Sequence, residues 1–429
     1  MTFTKSGSSF QGRGASNSRR GVVQGLFTAL GVLLLCCKTA QPEPKDQPSA
    51  QSANASATAP AAARHSIKIG LIAPFSGPFA SSGAEIEGGI KAYLEQHGHT
   101  VAGREIEILA RDTTGVAPDV AKRLAQELIT RDHVDFLAGF GLTPNAMAVA
   151  PLATEAKTPM VVMNAATSSL TTKSPYVVRF SFTLPQVTAP LALWAAKNGI
   201  KSVYTLVSDY APGADAEAQF KSTFEKAGGK IVGSVKVPVQ NPDFAPFVQR
   251  LKDAKPEAVF VFVPAGAQGI AFMKAFKERG LAEAGIRILA TGDVLDDNQL
   301  PAMGDAALGV VSTHHYSAAH ASAENTAFKA AFAKVTGGAF RPNFMAVGGY
   351  DGMAAIAAVV EKLGAELDGE RAMAAFKGLT LQSPRGPIRI DPETRDIIQT
   401  VYVRKVERVE DGLYNVEFDQ FADQKDPAK

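Results

Sequence analysis

Cysteine is nearly missing from this chain. Its 429 residues include two, Cys36 and Cys37, adjacent to each other near the N-terminus. Everything after them therefore has no thiol for a disulfide, a thiolate metal site or a cysteine nucleophile. Excess charge is also absent: 44 Lys and Arg against 42 Asp and Glu leave a formal net charge of +2. That balance excludes the basic footprint of an electrostatic nucleic-acid binder. Tryptophan is reduced to Trp194, and its setting Leu-Ala-Leu-Trp-Ala-Ala reads as core. No Gly-x-Ser-x-Gly elbow and no phosphate loop with Lys occurs, so no nucleophile–base arrangement or nucleotide cradle is expected, and the chain does not read as an enzyme. His314, His315 and His320 do not add up to a metal site. The first two fall on opposite faces of an extended segment, and no acid has ligand spacing. Asp293, Asp296 and Asp297 lack the alternating pattern with a distal Glu that calcium requires; solvation or helix capping suits Asp296 and Asp297 better. Neither a metal nor a cofactor is expected.

The composition, 46% hydrophobic and 20% charged, is that of a soluble globular protein long enough for two or three domains. The first 64 residues stand apart from it. Arg13, Arg19 and Arg20 precede an apolar run, Gly21 to Leu35, broken by Gln24 and Thr28. Residues 1–37 thus have the layout of an export signal, too short to span a membrane comfortably. Ser18-Arg-Arg-Gly-Val-Val23 partly matches a twin-arginine signal, leaving both export routes open. Leu34-Leu-Cys-Cys37 resembles a bacterial lipobox with Cys37 as the lipidated residue, and cleavage after Ala40 is the competing reading. Residues 38–64 are rich in Pro, Ala, Ser and Gln without apolar periodicity, the composition of a disordered tether. Both readings place the protein outside the cytoplasm, in the periplasm or cell envelope.

From Ser66 onward, strand and helix patterns alternate, which implies parallel sheets with helices on both faces. The key stretch is Ala138-Gly-Phe-Gly-Leu-Thr-Pro-Asn145, where an apolar strand meets a glycine turn and then Thr143-Pro144. Thr before Pro is a helix-start signal, with the hydroxyl expected to cap the helix and the free N–H groups forming an anion site. A second α/β series follows Arg179-Phe-Ser-Phe-Thr183, with a helix expected around Ala189 to Asn198. In open α/β sheets ligands bind beyond the carboxyl ends of the strands. The loops found there are Phe75 to Ser82, Phe140 to Thr143, Ala165 to Ser168, Asp209 to Pro212, Pro264 to Ala267 and Gly292 to Asp297. Three belong to each series, which describes a cleft between two lobes. Gly348-Gly-Tyr-Asp-Gly-Met lies within a helical run and reads as a close helix-packing face.

Several of these segments carry a family resemblance. Gly70-Leu-Ile-Ala-Pro-Phe-Ser-Gly-Pro-Phe-Ala80, Gly88-Gly-Ile-Lys-Ala92, Arg111-Asp-Thr-Thr-Gly115, the 138–152 stretch, Asp209-Tyr-Ala-Pro-Gly213 and Gly349-Tyr-Asp-Gly352 recur in order over some 350 residues. Together they resemble the type I periplasmic binding proteins of the branched-chain amino acid (Leu/Ile/Val-binding) transporters. The resemblance implies an α/β fold of two Rossmann-like lobes with parallel-rich central sheets, joined by a three-crossing hinge and closing over a small ligand. Crossings are expected near Thr183–Gln186, Ser312–Tyr316 and Pro387–Asp391. Lobe I is then 66–184 plus 316–387, lobe II 185–313 plus 388–420, and 421–429 a C-terminal tail.

By the same resemblance the protein is a monomeric solute receptor that delivers a small carboxylate ligand to an ABC transporter permease. Thr143 would hold the carboxylate, with Ala165, Ala166 and Thr167 on the neighbouring loop. Tyr210 would close from the second lobe. Ser82 occupies a position where an aromatic is frequent, so Phe79 or Phe75 would serve instead, and Phe140 would line the cleft. The acid that pairs with a ligand ammonium corresponds to Gly292 or, after a one-residue slip, Asp293. A second tyrosine falls near Ala265–Gly266 and is missing. An amino acid is the first expectation, because Asp293 is available to an ammonium; aromatic or other carboxylic acids without an amine are the alternative, and a ligand-sensing module is the alternative class.

Overall fold

A computed structural model describes residues 65–409 and 412–429, so the export signal, Cys37 and the tether expected over 1–64 lie outside it. In chain order the first region comprises β1 (Ile67–Ala73), α1 (Ala80–His97), β2 (Thr100–Val101), β3 (Arg104–Asp112), α2 (Pro118–Thr130), β4 (Phe136–Gly139), α3 (Thr143–Glu155), β5 (Met160–Val162) and β6 (Val177–Arg179). Its sheet has the order β2-β3-β1-β4-β5-β6, parallel except for the β2–β3 pair. The apolar runs of β1, β4 and β5 are almost entirely buried, as strands covered by helices on both faces must be.

The second region begins with α4 (Leu184–Lys197), β7 (Ser202–Ser208), α5 (Ala211–Lys226), β8 (Lys230–Val237), α6 (Ala245–Ala254), β9 (Ala258–Phe262), α7 (Ala267–Glu278), β10 (Arg287–Thr291), α8 (Leu300–Met303) and β11 (Val311–His314). The chain then returns to the first region with α9 (Ala323–Thr336), α10 (Phe344–Leu363) and α11 (Gly369–Phe376). It ends in β12 (Thr380–Ser383), β13 (Gly386–Ile390), β14 (Ile397–Val409) and β15 (Gly412–Gln424). The second sheet runs β12-β13-β14-β11-β10-β9-β7-β8, with β15 on β14. Its β7 to β11 pairs are parallel and its late strands antiparallel.

Helix α4 starts five residues earlier than the pattern suggested. Thr183 accepts from the Gln186 N–H and caps it, Pro185 sits in the first turn, and the helix continues through Pro190. The short elements β2, β6, α11 and β12 escape sequence reading because each is too brief for a period to register. Residues 421–424, read as the start of a tail, are the end of β15, and Asp426 and Lys429 bond back to Ser168 and Asp396. Trp194 is half-buried rather than core, its ring meeting Phe418 edge-on at 6.0 Å.

The expected glycine face on α10 is present. A Cβ on Gly349 would sit 2.2 Å from the Ile86 carbonyl of α1, and one on Gly89 of α1 would sit 1.9 Å from the Ala346 carbonyl of α10. The two helices meet backbone to backbone. Although α10 is apolar and long enough to cross a membrane, it is buried against its neighbours as a core helix.

Three buried arginines tie the crossings between the sheets. Arg385, between β12 and β13, pairs with Asp351 of α10 at 2.6 Å and donates to the Phe180 and Ser181 carbonyls at 2.5 and 3.1 Å. Its Nη1 also meets His315 Nδ1 at 2.6 Å. One guanidinium thus joins α10, the segment after β6 and the segment after β11. Arg404 of β14 bonds the Tyr316 carbonyl and lies 3.8 Å from Asp297. The third arginine, Arg179, belongs to the site.

Candidate functional site

The loops at the carboxyl ends of the strands of both sheets converge on one cavity. On the first-sheet side, β4 ends at Gly139, and both it and the following Phe140 have positive φ (98° and 62°). This tight turn is held by the Phe140 N–H on the Ile72 carbonyl at 2.7 Å and the Ala165 N–H on the Phe140 carbonyl at 2.9 Å. It delivers Thr143 to the cavity as the first residue of α3. The hydroxyl does not cap that helix, as the sequence suggested: extended Leu142 is the N-cap and makes no side-chain cap bond. Thr143 is buried, lines the cavity, and its Oγ1 has no hydrogen-bond partner. A buried hydroxyl without a partner is costly unless a ligand satisfies it. Its place at a helix N-terminus adds the partial positive charge of unpaired N–H groups.

Beside it, Asn164 at the end of β5 donates Nδ2 to the Gly141 carbonyl at 2.7 Å, while its Oδ1 is also unpartnered. Ala165 and Ala166 continue this wall. Arg179, fully buried, shapes it from behind. Its Nη1 donates to the carbonyls of Ala165 (2.9 Å) and Thr167 (2.8 Å), and its Nε pairs with Asp396 at 2.8 Å. Sequence reading passed over Arg179, since a lone Arg at a strand end carries no signal until the fold aims it at a loop.

Across the cavity, Tyr210 precedes α5 and its ring stacks with Phe262 (centroids 6.0 Å, 18° between planes). Burial, reinforced by the negative charge of Asp293, holds the Tyr210 phenol well above its ordinary value, so it remains a neutral donor. Asp293 lines the cavity with Oδ2 unpartnered and 3.7 Å from His314 Nε2. The His315 N–H donates to His314 Nδ1 at 3.0 Å, so the neutral ring carries its proton on Nε2, facing Asp293. Burial lowers His314 to about 4, against the opposing pull of Asp293, and it is uncharged at neutral pH. The His314 and His315 rings pack edge to face at 4.4 Å instead of parting to opposite faces, because the second lies just past the end of β11.

Of the residues named from sequence, Thr143, Ala165, Ala166, Tyr210, Asp293, Ser82 and Phe79 are brought together around the cavity. Three are not. Phe140, with its left-handed backbone, sends its ring into the core between β4 and helices α2 and α3. Thr167 donates its hydroxyl to Asp215 of α5, bridging the two walls outside the cavity. Gly292 backs onto His314 and Arg404, where a Cβ would come within 2.1 Å, so the acid beside the cavity is Asp293. Among the lining residues that sequence reading missed are Asn164, Phe182, Phe262 and Met345. Asn164 and Phe262 stand at strand carboxyl ends and could have been taken from the strand-end rule. Met345, from the start of α10, could not.

Comparison with known proteins agrees with this architecture. A family model described as periplasmic binding protein matches residues 66–412. The "Leu/Ile/Val-binding protein homolog 6" of Brucella melitensis biotype 1 is 46% identical over 362 residues, covering 84% of this chain and 93% of its own. A solved ABC transporter solute-binding protein from Rhodopseudomonas palustris BisB5, in complex with 3,4-dihydroxybenzoic acid, is 57% identical with a TM-score of 0.82, over 85% of this chain and 99% of its own. Another from R. palustris, in complex with 4-hydroxybenzoate, is 46% identical with the same TM-score of 0.82 and the same coverage.

Proposed function

The chain belongs to the periplasmic binding protein family, type I, of ABC transporter solute receptors, and from that premise we propose that its ligand is an aromatic carboxylate of the hydroxybenzoate class. The observation that carries this reading is the distribution of polarity in the cavity. Unpartnered polar atoms stand on opposing walls, Thr143 Oγ1 and Asn164 Oδ1 on one and Asp293 Oδ2 on the other. The same cavity is also lined by Phe79, Phe182, Met345 and the stacked Tyr210–Phe262 pair. A flat apolar ring with a carboxylate at one end and a hydroxyl at the other matches that pattern. The carboxylate accepts from the Thr143 hydroxyl and the α3 N-terminus, and the phenolic O–H donates to Asp293. Stacking on aromatic faces adds to the area term. The two solved relatives with bound benzoic acids support the same class.

A second reading keeps the branched-chain amino acid expected from sequence, with Asp293 paired to the ligand ammonium; the name of the Brucella relative favours it. Calorimetric titration with 4-hydroxybenzoate, benzoate and leucine separates the two. On the aromatic reading, 4-hydroxybenzoate binds and leucine does not. Asp293→Asn then weakens 4-hydroxybenzoate by about 1–3 kcal/mol, the range for a hydrogen bond to a charged group, and leaves benzoate nearly unchanged. Tight leucine binding that Asp293→Asn abolishes would overturn it.

In this reading the protein works as a monomer in the periplasm, holds its ligand without turnover and passes it to an ABC permease. Recovery of unaltered ligand after prolonged incubation checks the absence of turnover. Export through residues 1–37 with lipid on Cys37 completes the proposal, and incorporation of labelled fatty acid checks the anchor.

A further inference from the structure

One cluster at the lobe interface has no part in holding the ligand. Glu85 of α1 and Asp296, in the loop after β10, are both buried, at 1% and 2% exposure. They come from opposite lobes and each is bonded by an amide of the other. Asn298 Nδ2, from the Asp296 loop, donates to Glu85 Oε1 at 2.9 Å. Asn343 Nδ2, at the start of α10, donates to Asp296 Oδ2 at 2.8 Å. Asp296 Oδ1 also accepts the Asn298 backbone N–H at 2.7 Å. The other charged groups that reach this cluster are Asp297, next in the chain, and Arg404, which lies 3.8 Å from Asp297. No cation bonds either Glu85 or Asp296 among the described residues. Closing the cleft therefore drives two carboxyls out of water into one site, and two like charges cannot both remain there cheaply.

We propose that Glu85 and Asp296 form a proton-linked latch, so that closing the lobes takes up protons from solvent and opening them releases them. Burial, against the two amide bonds, pushes Glu85 up to about 7. Burial and then the Glu85 charge push Asp296 well above the carboxylate range. In an open cleft both return to water and to ordinary acidity. A carboxyl raised in the closed form favours closure below the open-state value and loses that contribution as pH rises through about 7. Ligand is thus gripped more firmly in acid and released more readily in alkali.

The latch rests on lobe closure, not on which ligand is bound. The test is calorimetry of 4-hydroxybenzoate binding to the full chain in buffers of different ionisation enthalpy. The expected uptake at about pH 6 is at least about 0.9 of a proton, the share of Glu85 alone, with Asp296 adding to it, and by about pH 8 the Glu85 share falls to about a tenth, so affinity decreases as pH rises. Glu85→Gln, which imitates the protonated form, and Asp296→Asn should each reduce the uptake by the share of the group replaced, and the double variant should remove most of it and flatten the pH dependence. Uptake below about a quarter of a proton at about pH 6, or undiminished uptake in both variants, overturns the latch. If 4-hydroxybenzoate gives no heat at any pH, the aromatic ligand reading fails, and small-angle scattering of the ligand-free chain decides the latch. A more compact wild type at about pH 6 than at about pH 8, with the Glu85→Gln, Asp296→Asn double variant equally compact at both, supports it; identical wild-type curves refute it.

Discussion

Replacing Arg385 by Ala removes a side chain that bonds Asp351, His315 and the Phe180 and Ser181 carbonyls, and its cost can be worked from those bonds. Asp351 is fully buried and its ion pair with Arg385 is at 2.6 Å. Removing one partner of such a pair leaves an uncompensated buried charge and costs about 3–5 kcal/mol. The Ser181 carbonyl keeps a donor in Gln399 Nε2 at 2.9 Å, whereas the Phe180 carbonyl loses the 2.5 Å bond from Arg385, which adds about 1 kcal/mol. The expected loss is therefore about 4–6 kcal/mol, a large part of the 5–15 kcal/mol that holds a typical domain. Urea unfolding followed by circular dichroism measures it.

The variant should also acquire a pH dependence of known sign. Burial already raises Asp351 above its ordinary value, and Arg385 is the main opposing influence. Without the guanidinium the carboxyl rises further. The raised group stabilises the fold when protonated and loses that contribution as pH rises, so the deficit of Arg385→Ala should shrink on acidification. Arg385→Met combined with Asp351→Leu should recover most of the loss, because an apolar pair needs no compensation. A single-variant cost below about 1 kcal/mol, or a double variant no better than the single, would refute the reasoning.

Two further substitutions probe the site. Thr143→Ala should weaken a carboxylate ligand by about 1–3 kcal/mol in a titration while leaving the thermal midpoint of the ligand-free protein unchanged or higher, since its unpartnered hydroxyl is removed. Unchanged affinity would remove Thr143 from the ligand's contacts. Arg179→Met should raise the ligand dissociation constant at least tenfold without touching the ligand, by freeing the Ala165 and Thr167 carbonyls and leaving Asp396 with one fewer cation partner. Unfolding free energy measured beside affinity shows whether the loop or the whole fold has given way.

Much of this molecule was legible in its order of residues, and the reason is local. Strand and helix patterns long enough to show a period, the glycine turn before Thr143, and the loops at strand ends all follow from short-range rules, and so did the two-lobed α/β plan. The glycines of α10 were readable as a packing face because a missing Cβ has one main use within a buried helix. What tertiary structure decided is everything that depends on which loops meet. Thr143 was expected to cap its helix; only the extended Leu142 before it and the cleft beyond show the hydroxyl unpartnered and facing a cavity. Asp293 and Gly292 differ by one position in the chain, yet one lines the cavity and the other packs against His314 and Arg404. Asp296 read as a solvated or capping residue; only the apposition of α1 and the loop after β10 brings it to Glu85, far away in sequence. A carboxyl's chemistry depends on its solvent and its neighbouring charges, and neither exists until the lobes pack together.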